Sequence, residues 1–290
     1  MKTIVIFLFS ILCLTAISCE TFISSVEEFF ESSETTPSNS QNNNPKKSSQ
    51  WVIVDNRINS QSNDLESAPP PRTNTNKRAN PDAANWDIAA LDTAAAEDYL
   101  SPAEKDVILE MNKARADPKK YADLYIRPML QYNWGGPYGA NSYLVPGTNL
   151  YITTNEGKNG IQSCINDLSK RQSMPPLLPS KGLFLAAKDH VNDTGPKGIT
   201  GHTGSDRSTM VQRISRYGKW EGGSGENISY GHNVGRDIVV QLLVDDGVSN
   251  RGHRNNILNK NFKYVGGSIG RHSNYTYLCV IDYANRYIDN

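Results

Sequence analysis

Three short runs carry the side chains best suited to chemistry: Gly201-His202-Thr203-Gly204, Gly225-Glu226-Asn227-Ile228 and Arg251-Gly252-His253-Arg254-Asn255-Asn256-Ile257. Imidazole changes charge near neutrality and is the commonest metal ligand, and carboxylates complete zinc sites or act as general acids and bases. Each run sets its histidine or glutamate beside a glycine, where backbone and ligand can approach closely. The spacings are far too long for one helix face, so a joint site must be assembled by the fold.

Taken in order with Met111-Asn112-Lys113-Ala114-Arg115 and Asp245-Asp246-Gly247, these runs resemble the CAP superfamily of cysteine-rich secretory, antigen 5 and pathogenesis-related 1 proteins. The variant it resembles ends in a Gly-His-Arg-x-Asn-Ile run, and the resemblance covers about residues 95 to 286. It implies an α+β fold, a three-layer α-β-α sandwich with a small central antiparallel sheet flanked by helices. It also implies that His202, Glu226 and His253 fill three of four cavity-lining positions, with Asp246 as the fourth and Asp245 as its rival. Those four form the expected metal set, with zinc as the leading divalent cation.

The function this implies is an exported binding module, its cleft holding a cation and a lipid, sterol or protein ligand. The alternative is a metal-dependent hydrolase. In that reading His202, Glu226, Asp246 and His253 are catalytic, the histidines holding zinc and an acid serving as general base. A third reading is a surface scaffold that works through the Pro128 to Lys158 stretch. The sequence leaves open whether the protein is an enzyme.

The elements that must position these residues are legible from periodicity and caps. Ser101-Pro102-Ala103-Glu104 predicts a capping box, followed by Val107, Ile108, Met111 and Ala114 on one helix face. Further helical stripes run through Ile161 to Leu168, Leu183 to Val191 after Ser180, Met210 to Tyr217, and Ile238 to Leu243. Strands are expected at Glu226 to Tyr230, Tyr264 to Gly270 and Tyr275 to Tyr287, the last two joined by a hairpin at Arg271-His272-Ser273-Asn274. Glycines and isolated aromatics from Pro128 to Lys158 read as a long surface loop or a subgroup-specific insertion.

Outside the site, His190 reads as a structural histidine, and His232 and His272 sit in turns. Asn227 is expected to secure neighbouring backbone, while Arg251 and Arg254 flank the cleft as anion attractors or solvated charges. Gly266-Gly267-Ser268-Ile269-Gly270 matches the serine-hydrolase elbow pattern. It runs inside an expected strand rather than a strand-turn-helix, which argues against a nucleophile.

The first 95 residues read differently. Lys2 and the apolar stretch from Ile4 to Ile17 mark residues 1–18 as an export signal, too short for a membrane span. Ala16-Ile17-Ser18-Cys19 also matches a loose lipobox, which would make Cys19 a lipidated membrane anchor. Residues 19–95 are rich in Ser, Asn, Thr, Pro and Glu and read as a disordered tether, with the domain at 96–290. Trp51-Val52-Ile53-Val54 is the apolar patch within it, either a sheet-edge addition or idle. Secretion or surface display would put Cys164 and Cys279 in an oxidising compartment, and a disulfide between them is expected. Thirty basic residues balance thirty acidic ones, so nothing favours a nucleic-acid partner.

Overall fold

A computed structural model of the chain describes residues 52–55 and 86–290. The export signal, Cys13, Cys19 and residues 56–85 lie outside the described residues. Among those described, no helix is long and apolar enough to cross a membrane.

In chain order, β1 (Val52–Asp55) and the single turn α1 (Ile88–Leu91) precede the first long helix, α2 (Pro102–Ala116). The Ser101 hydroxyl accepts from Glu104 N and the Glu104 carboxylate accepts from Ser101 N, so the predicted capping box forms. A second cap at Asp117, with Pro118 in the first turn, starts α3 (Pro118–Tyr121), which continues as a π turn and a 3-10 turn to Gln131. Then come β2 (Asn133–Trp134), β3 (Ser142–Leu144), β4 (Leu150–Thr153), α4 (Lys158–Leu168) and β5 (Leu178–Pro179). Ser180 caps α5 (Lys181–Thr194), and a Thr209–Gln212 capping box starts α6 (Met210–Tyr217). The chain ends with β6 (Gly218–Tyr230), α7 (Gly235–Val244), α8 (Gly252–Ile257), β7 (Tyr264–His272) and β8 (Thr276–Asp289).

The main sheet has the order β5-β7-β8-β6, antiparallel except for the two-residue β5–β7 pair. Alternation along β8 separates its two faces, as the period of a strand requires. Cys279, Ile281 and Tyr283 join the large core with Val107, Met111, Ile238 and Leu242 of α2 and α7. Leu278, Val280 and Ala284 instead pack with Leu183, Ala187 and Val191 of α5 and with Ile214 of α6. The fold is α+β, with helices on both faces of a small, mostly antiparallel sheet.

Close packing explains the glycine run in β7. A Cβ on Gly266 would lie 2.0 Å from Phe184 N, so α5 can approach the sheet only over glycine. Ser268 in the same run is buried, its hydroxyl donating to Glu104 across to α2. The elbow-like pattern is a packing device.

Three expectations need correction. The Pro128 to Lys158 stretch is not a bare loop: β2, β3 and β4 form a second antiparallel sheet, with Tyr143 and Ile152 turned into the core. In that sheet β1 takes the edge beside β4, Ile53 opposite Ile152, which is the sheet-edge alternative for the Trp51-Val52-Ile53-Val54 patch. Order also begins before residue 96. Trp86 is buried, its Nε1 donating to Tyr125 Oη, and the Leu91 carbonyl accepts from Asn112 Nδ2 at 2.9 Å.

The expected disulfide is the third correction: Cys164 and Cys279 are both free, buried thiols. They face different neighbours. Cys164 Sγ donates to the Leu243 carbonyl of α7 at 3.2 Å, while Cys279 sits mid-strand between Ser229 of β6 and Ile269 of β7. Burial pushes the Cys164 thiol up to about 12 and the Cys279 thiol higher still, which keeps both protonated.

Candidate ligand cleft

His202 comes from the connection between α5 and α6, on one face of the main sheet. Asp245 and His253 come from α7 and α8, on the other. They meet at β6, the edge strand, around a cleft of about 150 Å³ whose remaining wall includes Ile228, Tyr230 and Leu242. Gln241 fixes α7 to this strand by accepting from the Ser229 hydroxyl and donating to the Tyr230 carbonyl.

Each histidine is oriented by a buried acid. His202 Nδ1 lies 2.8 Å from Glu226 Oε1, and His253 Nδ1 lies 2.7 Å from Asp245 Oδ1. The two carboxylates are 2% and 0% exposed, against 58% and 20% for the rings they hold. An Nδ1–H donated to a carboxylate leaves Nε2 as the lone-pair nitrogen of the neutral ring. In that tautomer each ring keeps its lone pair on Nε2, and both rings line the cleft.

The structure brings His202, Glu226 and His253 to this site but replaces Asp246 with its neighbour. Asp245 ends α7 in a left-handed conformation (φ 53°), which turns its carboxylate to His253 Nδ1 and Arg254 N. Asp246 then points the other way and accepts from the backbone amides of Asn155 and Glu156 at 2.6 and 2.8 Å. Glu226 also stands behind its histidine rather than beside the other ring. Among the described residues, no three His, Cys, Asp or Glu side chains stand close enough to hold a metal together. The four-residue ligand set His202, Glu226, Asp246 and His253 is thus not assembled.

Behind the His202 half lies a buried charge network that the sequence did not suggest. Arg213 of α6, 1% exposed, donates to Glu226 Oε2 at 2.7 Å, to the His202 carbonyl at 3.1 Å and to the Ser208 carbonyl at 2.9 Å. Burial alone would push the Glu226 carboxyl up, but the hydrogen bond with His202 and the Arg213 charge hold it below the ordinary range. Across the strands, Asp282 pairs in register with Glu226 and is fully buried, with no hydrogen-bond donor for either oxygen. Burial first, and then the Glu226 charge, push its carboxyl well above the ordinary range. Asp282 is therefore held toward its neutral, protonated form beside the ionised Glu226.

The remaining sequence candidates are structural. His190 Nε2 donates to the Gly201 carbonyl at 2.8 Å and the Gly201 amide donates to Tyr230 Oη, fixing the turn that presents His202. Gly201 itself has φ 98°, which glycine adopts at no steric cost. Asn227 Nδ2 donates to the His253 carbonyl, securing backbone as expected. Arg254 is buried against the Leu243 and Val244 carbonyls and Arg251 is paired with Glu156, so neither is a free anion attractor. His272, expected in a turn, is instead the last residue of β7, paired with Thr276 and held to the Ile199 carbonyl.

The family model described as CAP, the cysteine-rich secretory protein family, matches residues 162–283. That segment is less than half of the chain, and it contains His202, Glu226, Asp245 and His253. The match supports the CAP superfamily for this segment. Among solved structures, the chain is similar to an outer surface protein of Borrelia burgdorferi, with 19% identity and a TM-score of 0.34 over 39% of this chain and 80% of the other. It is also similar to an extracellular protein containing an SCP domain from Bacillus anthracis, with 21% identity and a TM-score of 0.31 over 44% of this chain and 37% of the other. The chain thus spans well under half of that second protein. No curated protein matches.

Proposed function

We propose that this is an exported, surface or extracellular binding protein whose cleft takes a divalent cation, zinc by preference, between His202 Nε2 and His253 Nε2. The observation that carries the reading is the pairing of two imidazoles in one cleft, each oriented through Nδ1 by its own buried carboxylate. That is the outer-shell arrangement that fixes the tautomer and raises the basicity of metal-binding histidines. Export rests on the apolar stretch after Lys2, in keeping with a family whose description is secretory.

The donor set fits a weakly held, exchangeable cation, because the chain offers two nitrogens where structural zinc sites use four protein ligands and catalytic sites use three. A cation held there would supply a positive anchor for a polar or anionic head group. The Ile228, Tyr230 and Leu242 side would then receive the apolar part of a lipid, sterol or protein ligand. The same two-ligand set argues against the hydrolase reading.

Thermal unfolding with added zinc tests the proposal. At tenfold excess over Kd, near neutral pH, the melting temperature should rise by about 3–6 °C. The response should fall in acid, because the ligands must be neutral imidazoles. His202→Ala and His253→Ala should each remove most of it. A full response in the double variant would place the cation elsewhere.

A further inference from the structure

The segment between α7 and α8 begins at Asp245 and leads directly into His253 in the first turn of α8, and it is unusual along its backbone. It begins and ends with non-glycine residues in the left-handed region, Asp245 at φ 53° and Arg251 at φ 52°. Such conformations persist where the surroundings over-determine them. The contacts that do so come from the corner between β4 and α4, ninety residues away in sequence.

At that corner, Asp246 accepts from the Asn155 and Glu156 amides, and the Glu156 carboxylate answers by accepting from the Gly247 amide at 2.7 Å. Arg251 grips the same carboxylate with both terminal nitrogens, at 2.7 and 2.6 Å, and donates to the Asp245 carbonyl. The connector lies hard against the corner, since a Cβ on Gly247 would come within 2.6 Å of Asn155 Nδ2. The hydrogen bonds from Arg251 hold the Glu156 carboxyl below its ordinary range, so the pair stays charged. Bidentate arginine–carboxylate pairs add directional definition as well as energy.

We infer that Glu156 and Arg251 are positioning residues for the His253 half of the cleft: the pair fixes the Asp245–Arg251 connector, and through Asp245 the His253 ring. Neither residue lines the cleft, and the His202 half hangs from a separate network built on Arg213 and His190. The two imidazoles are therefore held by independent devices, and one can be loosened without the other. The inference takes the two-histidine cleft as its frame but needs no cation. Its test reads the rings themselves, so its failure is distinguishable from failure of the cation reading.

The experiment is NMR of the imidazole nitrogens in the full chain without added metal, comparing wild type with Glu156→Ala, Arg251→Ala and the double variant. The expected result is a changed or broadened His253 signal whose Nδ1 proton exchanges about tenfold faster or is lost, with His202 signals unmoved. Both single variants and the double variant should give the same change, because the two residues act as one unit. Should the alanine variants fail to fold, Glu156→Gln, which retains an acceptor for the Gly247 amide, should still show the effect on His253 alone. Wild-type His253 signals in these variants, or His202 signals that move as much as those of His253, would overturn the assignment.

Discussion

Replacing Arg213 by methionine probes the buried network behind His202 most sharply. The side chain is 1% exposed and its carboxylate partner 2%, so the pair is not weakened by solvent screening. Removing the guanidinium leaves Glu226 as a buried carboxylate with the His202 Nδ1 hydrogen bond but no cation beside it, and frees the His202 and Ser208 carbonyls. Breaking a buried pair from one side costs about 3–5 kcal/mol, a large share of the roughly 5–15 kcal/mol that holds a domain folded.

The pH dependence separates the charge from the two lost carbonyl bonds. Glu226 is held below its unfolded value, so its pairing stabilises the fold above the unfolded glutamate pKa of about 4.3 and loses that contribution as pH falls through the folded value. Without Arg213 the depression relaxes, and protonation of Glu226 in acid relieves the buried charge. Urea denaturation followed by fluorescence should show the full penalty at pH 7 and a smaller one at pH 4. At pH 7, Arg213→Met with Glu226→Gln should be less destabilised than the sum of the two single variants. A penalty under about 1 kcal/mol at pH 7, or strict additivity, would refute the reasoning.

Two further outcomes follow from the buried acid and the thiols. Asp282 has a folded pKa raised above its unfolded value, so the wild type loses stability as pH rises from the unfolded value toward the folded one. The melting-temperature difference between Asp282→Asn and wild type should therefore move in favour of the variant from pH 3.5 to pH 7, and a pH-independent difference would mean that Asp282 is not held neutral. Peptide mapping after thiol labelling without reductant should find Cys164 and Cys279 unreactive in the folded protein at pH 8 and both labelled after unfolding; a disulfide-linked peptide pair would contradict the free, buried thiols.

What the sequence revealed and what it hid divide along physical lines. The α2 capping box and the alternation of β8 are local signals, written within a few residues and readable there. His202, Glu226 and His253 were recoverable because glycine-flanked polar residues in a fixed order are distinctive. Asp245 and Asp246 are adjacent and chemically identical, and the choice between them depends on a left-handed helix end that any short sequence window leaves open. Arg213 lies on a short helix rich in polar residues, where no local signal marks it out, and tertiary packing buries it. The β2–β4 sheet escaped notice because strands of two to four residues show too little alternation. The Cys164–Cys279 expectation followed compartment chemistry, whereas the fold gives each thiol a different neighbour.

The central claim is that His202 and His253 act together through their Nε2 atoms. Crystals of the full chain soaked in a zinc salt near pH 7, with diffraction recorded on both sides of the zinc absorption edge, test it most directly. The account predicts one anomalous peak in the cleft, about 2.0–2.1 Å from Nε2 of both rings, with Glu226 and Asp245 still on the Nδ1 side. A peak bound to one ring alone, or to Asp246 at the outer corner, or no peak in the cleft at zinc concentrations that shift the melting temperature, would contradict it.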